Sequence, residues 1–149
     1  MITPRPVRIN AVVLPCLSLV MASLLVACGP PAPDPALTAY RQVFAAVGRE
    51  DAKMFVAGLT PASRDRLRAQ LALPATASEA ELVKRIELRP GASFEIELPK
   101  DAKIVAGAGD DQRRIVEGPL DGTIWRIPVV KVGQAWRVAL FDAKKVEAN

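Results

Sequence analysis

The chain has 149 residues, 20 basic and 16 acidic, for a net charge of +4, and it contains no histidine and two cysteines. Without histidine there is no Ser-His-Asp or Cys-His nucleophile, and the usual general base and transition-metal ligand at neutral pH are missing. The positive charge is a weak pointer to nucleic acid or anionic partners, because Met1–Ala27 holds Arg5 and Arg8 with no acid, which leaves +2 behind it.

Met1–Arg8 is a short basic segment, and Ile9–Ala27 is nearly all apolar. It ends in Leu25-Val26-Ala27-Cys28-Gly29, with a small residue before the cysteine and an aliphatic one two positions earlier. This sequence resembles the lipobox of bacterial lipoprotein precursors. The resemblance implies a signal peptide over 1–27, cleavage between Ala27 and Cys28, a diacylglyceryl thioether on Cys28 and acylation of the new amino group. Cys16 is the poorer site, since Pro15 precedes it and the apolar run before it is short. The competing reading is an uncleaved transmembrane anchor, which needs roughly 20 apolar residues; this run is slightly short and carries a proline. Gly29, where some inner-membrane lipoproteins carry Asp, implies the periplasmic side of the outer membrane, with the inner membrane as the alternative. Such a mature chain keeps no free thiol and forms no disulfide, so its core rests on packing.

Residues 28–35 read as the lipidated cysteine followed by a proline-rich tether, Gly29-Pro30-Pro31-Ala32-Pro33-Asp34-Pro35. At about 3.1 Å per residue it reaches roughly 20 Å. One domain is expected over 36–142. Asp34 as a cap and Pro35 in the first turn open a helix whose apolar positions Tyr40, Val43, Phe44 and Val47 recur at helical spacing, with Gly48 as the stop. Ala52, Phe55, Val56 and Leu59 repeat that spacing before Thr60-Pro61 opens a third helix burying Leu67 and Leu71. Ser78-Glu79-Ala80-Glu81 forms a capping box before Leu82, Val83 and Ile86, and Pro90-Gly91 closes the helical half.

Past Gly91 the period changes to two. Phe94, Ile96 and Leu98 alternate with Glu95 and Glu97, which predicts a strand with one wet face. Short strands are expected at Lys103–Ala106 and Arg113–Glu117, flanking the turn-rich Gly107–Asp111. Asp121-Gly122 signals a two-residue hairpin into Thr123–Val132, where Pro128 suggests an edge or a bulge. Gly133-Gln134 turns the chain into Ala135–Phe141, with Trp136, Val138 and Leu140 on one face, and Ala143–Asn149 is expected to fray. Helices first and antiparallel strands after them predict an α+β fold, with N-terminal helices packed on a curved antiparallel sheet. This order, ending in Val129-Val130-Lys131-Val132-Gly133-Gln134-Ala135-Trp136-Arg137-Val138, resembles small lipoproteins of the nuclear transport factor 2-like (cystatin-like cone) superfamily. Some members of that superfamily are enzymes and many are binders.

No catalytic constellation, metal site or cofactor motif is expected. Glu95 and Glu97 fit a solvated strand face better than a carboxylate pair. Asp110 and Asp111 fit a turn better than a calcium loop, and Gly107-Ala108-Gly109 lacks the rest of a dinucleotide fingerprint. Arg64, Arg66 and Arg68 form a basic cluster interrupted by Asp65, with membrane steering as its functional reading. The resembled superfamily often lines a pocket with one sheet face, which makes Trp125 and Trp136 the candidate pocket residues. Alternation with Val138 and Leu140 favours the core for Trp136, while Trp125 suits core or pocket. The expected function is a membrane-anchored, non-enzymatic periplasmic domain that binds a partner protein or a small apolar ligand, with no nucleic acid. An enzyme with a carboxylate acid or base in an apolar pocket and an inhibitor or immunity lipoprotein are the alternatives.

Overall fold

The computed structural model describes residues 32–89 and 96–146. The cleavage and lipidation positions Ala27 and Cys28, the Pro90-Gly91 stop, Phe94, Glu95 and residues 147–149 lie outside the described residues. Every element below belongs to the compact unit Pro33–Asn149.

Helix α1, Pro35–Gly48, starts where Asp34 Oδ1 accepts a hydrogen bond from the Ala36 N–H at 2.8 Å. Pro35 adds its fixed φ to the first turn. Tyr40 and Val43 are fully buried, with Ala36 and Ala46 beside them. The chain reverses two residues later than the glycine suggested. Gly48 is the last helical residue, and the left-handed conformation falls on Glu50, at φ 57°. Helix α2, Ala52–Ala57, is capped by Asp51, whose carboxylate accepts from the Met54 N–H. Gly58 ends it without a positive φ; its reason is space, since a Cβ there would clash with Val43 Cγ2 of α1. Thr60 caps α3, Pro61–Gln70, through the Ser63 N–H. The capping box before α4, Glu79–Arg85, is formed in both directions between Ser78 and Glu81. The Ser78 N–H and hydroxyl hydrogen bonds hold the Glu81 carboxyl below the usual carboxylate range.

Five antiparallel strands follow: β1 Lys103–Gly109, β2 Arg113–Leu120, β3 Thr123–Val132, β4 Ala135–Val138 and β5 Lys144–Val146. The order is β1-β2-β3-β4, with β5 pairing β3 end to end with β4. Asp121 and Gly122 both have positive φ, 50° and 73°, as the tight right-twisting turn between β2 and β3 requires. Val116, Ile127, Val129 and Val138 share one sheet face and are buried against Tyr40, Val43, Phe55, Leu59, Leu67 and Leu82. The helices therefore cover this face, and the fold is α+β.

Several expectations in the strand half are corrected. Ile96–Leu98 alternates in burial but forms no strand; the segment runs over the helix-covered face, where the Tyr40 hydroxyl holds the Pro99 carbonyl and Pro99 meets Gly118 of β2. Pro128 is neither at an edge nor on a bulge. It lies within the central strand, where its carbonyl accepts the Ala139 N–H at 2.9 Å on the side away from β2. The N–H that proline lacks would point the same way, so the β3–β4 ladder has no donor to continue past Val129↔Val138. The expected strand Ala135–Phe141 accordingly stops at Val138, and Leu140–Asp142 is a single 3-10 turn. That turn returns the chain to β3, where Lys144–Val146 pairs with Ile124–Arg126 instead of fraying. Gly107–Gly109 belongs to β1, which carries a register shift between Ile104 and Gly109.

On its outer side β4 meets the α2–α3 connection. The Val138 N–H donates to the Gly58 carbonyl at 2.9 Å, and the Thr60 N–H donates to the Val138 carbonyl at 3.0 Å. Leu59 and Val138 thereby form a one-residue parallel bridge.

Candidate apolar pocket

The helix-covered face of the sheet is filled at one end and hollow at the other. Beside the β2–β3 turn lies a cavity of about 460 Å³ lined by Leu98, Pro99, Leu120, Trp125, Ile127, Leu140 and Ala143, with Glu97 at its rim. Register explains why distant residues meet here. Trp125 and Ile127 alternate with outward-facing residues of β3, Trp125 lies opposite Gly118, and Leu120 closes the hairpin opposite Thr123. The 3-10 turn forced at Pro128 brings Leu140 and Ala143 to the same place.

The Leu98–Ala102 segment forms the remaining wall and is held at two points. The Tyr40 hydroxyl, buried with the rest of its ring, donates to the Pro99 carbonyl at 2.7 Å. Burial pushes the Tyr40 phenol well above the ordinary tyrosine pKa. Gly118 supplies the second point, because a Cβ there would lie 2.7 Å from Pro99 Cβ and 3.1 Å from Ala102 Cα. A glycine within a strand is the mark of such close approach. The strand expected from sequence ends at Glu117 and makes no use of this signal.

The two tryptophans part company. Trp136 packs against the buried core, opposite Lys131 on the helix-covered face. Trp125 is half-buried and lines the cavity, and the Lys145 ammonium sits 5.2 Å from its ring centroid. That distance lies within cation–π range. Glu97 is exposed and makes no hydrogen bond or ion pair with another described residue.

The other candidates are occupied within the fold. Arg64 pairs with Glu79 at 2.6 Å, Arg68 with Asp65 at 2.7 Å and the Ala77 carbonyl at 3.0 Å, and Arg66 bonds the Phe141 carbonyl at 3.0 Å. The three arginines thus tie α3 to α4 and to the 3-10 turn. Asp110 Oδ1 accepts the Gln112 and Arg113 N–H groups at 2.7 and 2.8 Å, which closes the β1–β2 turn. Among the described residues no group of three or more Asp, Glu, Cys or His side chains is placed to hold a metal ion. Among them, too, no helix is long and apolar enough to cross a membrane.

The chain matches no protein-family model, no curated protein and no solved structure.

Proposed function

We propose that this protein is a lipid-anchored periplasmic domain that binds a small, predominantly apolar ligand on the helix-covered face of its sheet. The observation that carries the reading is the hollow beside Trp125. A cavity of about 460 Å³ is of the size that takes up small molecules, and the side chains that line it are aliphatic or aromatic apart from Glu97. Its wall is positioned by a buried hydrogen bond and a glycine contact, which is how a preformed pocket is kept from collapsing. The helices-then-hairpins order and a pocket on one sheet face are also what the resemblance to nuclear transport factor 2-like lipoproteins implies. Anchoring rests on the Leu25–Cys28 lipobox and the proline-rich stretch after it. Binding is favoured over catalysis because Glu97, the one carboxylate in the pocket lining, is exposed and makes no hydrogen bond or ion pair with another described residue.

A titration with a neutral naphthylamine dye, whose emission rises in apolar surroundings, tests the pocket. One saturable site per domain is expected, with displacement by medium-chain fatty acids or alcohols and affinity at least tenfold lower in Trp125→Ala. Absence of saturable binding, or equal affinity in Trp125→Ala, refutes the ligand-binding reading.

A further inference from the structure

Among the described residues no helix covers the opposite face of the sheet, and the side chains there follow from the same registers. Arg126 on β3 lies opposite Glu117 of β2 and Lys144 of β5, and Val130 lies opposite Arg113 of β2 and Arg137 of β4. Lys103 of β1, opposite Glu117, extends the row. Cations thus crowd a face whose one strand acid, Glu117, is engaged by Arg126 at 2.9 Å. At the margin of the face Asp142 pairs with Arg66 at 3.4 Å. Arg113 and Lys144 have exposed side chains with no ion pair among the described residues.

Between these cations the face is aliphatic. Ile124 and Val132 are 38% and 41% exposed. A shallow groove of about 380 Å³ runs over Ile115, Pro128 and Val146, flanked by Arg113, Arg126 and Lys144, with Asp142 the one acid in its lining. Both tryptophans point to the other side of the sheet, so this face offers no aromatic platform for stacking bases. A purely ionic partner has no use for exposed isoleucine and valine, whereas the headgroup region of a bilayer takes up cations and short aliphatic side chains together.

We infer that this helix-free face docks on an anionic phospholipid surface, with the groove seating headgroup phosphates between Arg113, Arg126 and Lys144. The inference draws on the anchoring reading for proximity, since only six residues separate Cys28 from the start of α1 at Pro35. Docking with this face down directs the helical layer away from the bilayer.

The test is independent of lipidation. The core and all the strands lie within Pro33–Asn149, so a form beginning at Gly29 folds on its own and carries no acyl chain. Its binding is measured by co-sedimentation with vesicles of equimolar phosphatidylglycerol and phosphatidylcholine, and with phosphatidylcholine alone. Binding is expected only to the anionic vesicles and should weaken as salt shortens the screening length. Each cation near such a surface is worth about fivefold in affinity, so Arg113→Gln/Lys144→Gln should bind roughly 25-fold more weakly. Arg41→Gln/Lys53→Gln makes the same change of charge on the helices and should leave binding intact. Equal binding to both vesicles, an unaffected Arg113→Gln/Lys144→Gln, or an equal loss in the helical pair overturns the inference. So does retention on polyglutamate beads without retention on vesicles. A failure of Cys28 lipidation, read separately by fatty-acid labelling, would overturn the anchor and leave this result standing.

Discussion

Tyr40 is the one tyrosine of the chain, so its phenol can be followed without ambiguity. In the folded domain its hydroxyl is buried and donates to the Pro99 carbonyl at 2.7 Å, across 59 residues of sequence. Tyr40→Phe keeps the ring and orphans a buried acceptor, which costs about 1–3 kcal/mol. For a domain of this size each kcal/mol moves the thermal midpoint by about 4 °C. The alkaline limb adds a second reading. The folded phenol holds its proton above the ordinary value, whereas the unfolded phenol releases it near pH 10. Above that pH the unfolded state binds fewer protons than the folded one, so stability falls as pH rises. The Tyr40 contribution is therefore fully present below about pH 10 and declines above it by ~1.4 kcal/mol per pH unit until the raised folded pKa is passed. Urea melts of wild type and Tyr40→Phe across the alkaline range isolate this slope from that of the lysines, and phenolate absorbance reports the titration directly. A phenol that titrates near 10 in the folded protein, or identical alkaline slopes in the two proteins, refutes the argument.

Three further outcomes are expected. Trp136→Ala should cost about 3 kcal/mol of stability by urea melt, at the low end for an aromatic truncation because the ring is only partly buried, and Trp125→Ala well under half of that. Gly58→Ala should cost about 1–3 kcal/mol through the clash with Val43, and Val43→Ala introduced beside it should recover part of that loss in the double variant. Cys28→Ser should abolish labelling by radioactive fatty acid and release the protein from the membrane fraction, and continued lipidation would refute the anchor.

What could be read from sequence was whatever is decided within a few residues. Asp34-Pro35, Thr60-Pro61 and Ser78–Glu81 state their helix starts locally, and each start falls there. Asp121-Gly122 likewise specifies its turn, because few residue pairs tolerate two positive φ values in succession. Apart from the turn after α1, which falls at Glu50 and not at Gly48, the misreadings involve pairing decided elsewhere in the chain. The alternation of Ile96, Glu97 and Leu98 matches a strand, but the chain is held at Pro99 over the face of β2 and not beside a strand edge. Pro128 suggested an edge because one missing N–H usually excludes a central position. The sheet accommodates it by changing partner strands at that residue. The pocket was half legible. Trp125 was a candidate from the outset, whereas Leu98, Leu120 and Leu140 carry no local mark and meet only through tertiary packing. Trp136, favoured for the core from its alternation with Val138, is partly buried and packs against that core.

The bridge between Leu59 and Val138 bears on how the chain assembles. The α2–α3 connection needs two main-chain partners that lie almost eighty residues further on, at the end of β4. A chain delivered amino terminus first presents α1 to α3 long before the sheet exists to cover Phe55, Val56 and Leu67. Contacts of such separation in sequence close slowly, and until they close the waiting helices expose apolar faces to proteases and to one another. The interval ends when the β3–β4 hairpin forms. Its arrival covers those faces and, in the same step, blocks the outer edge of β4 against strand addition by a neighbouring molecule.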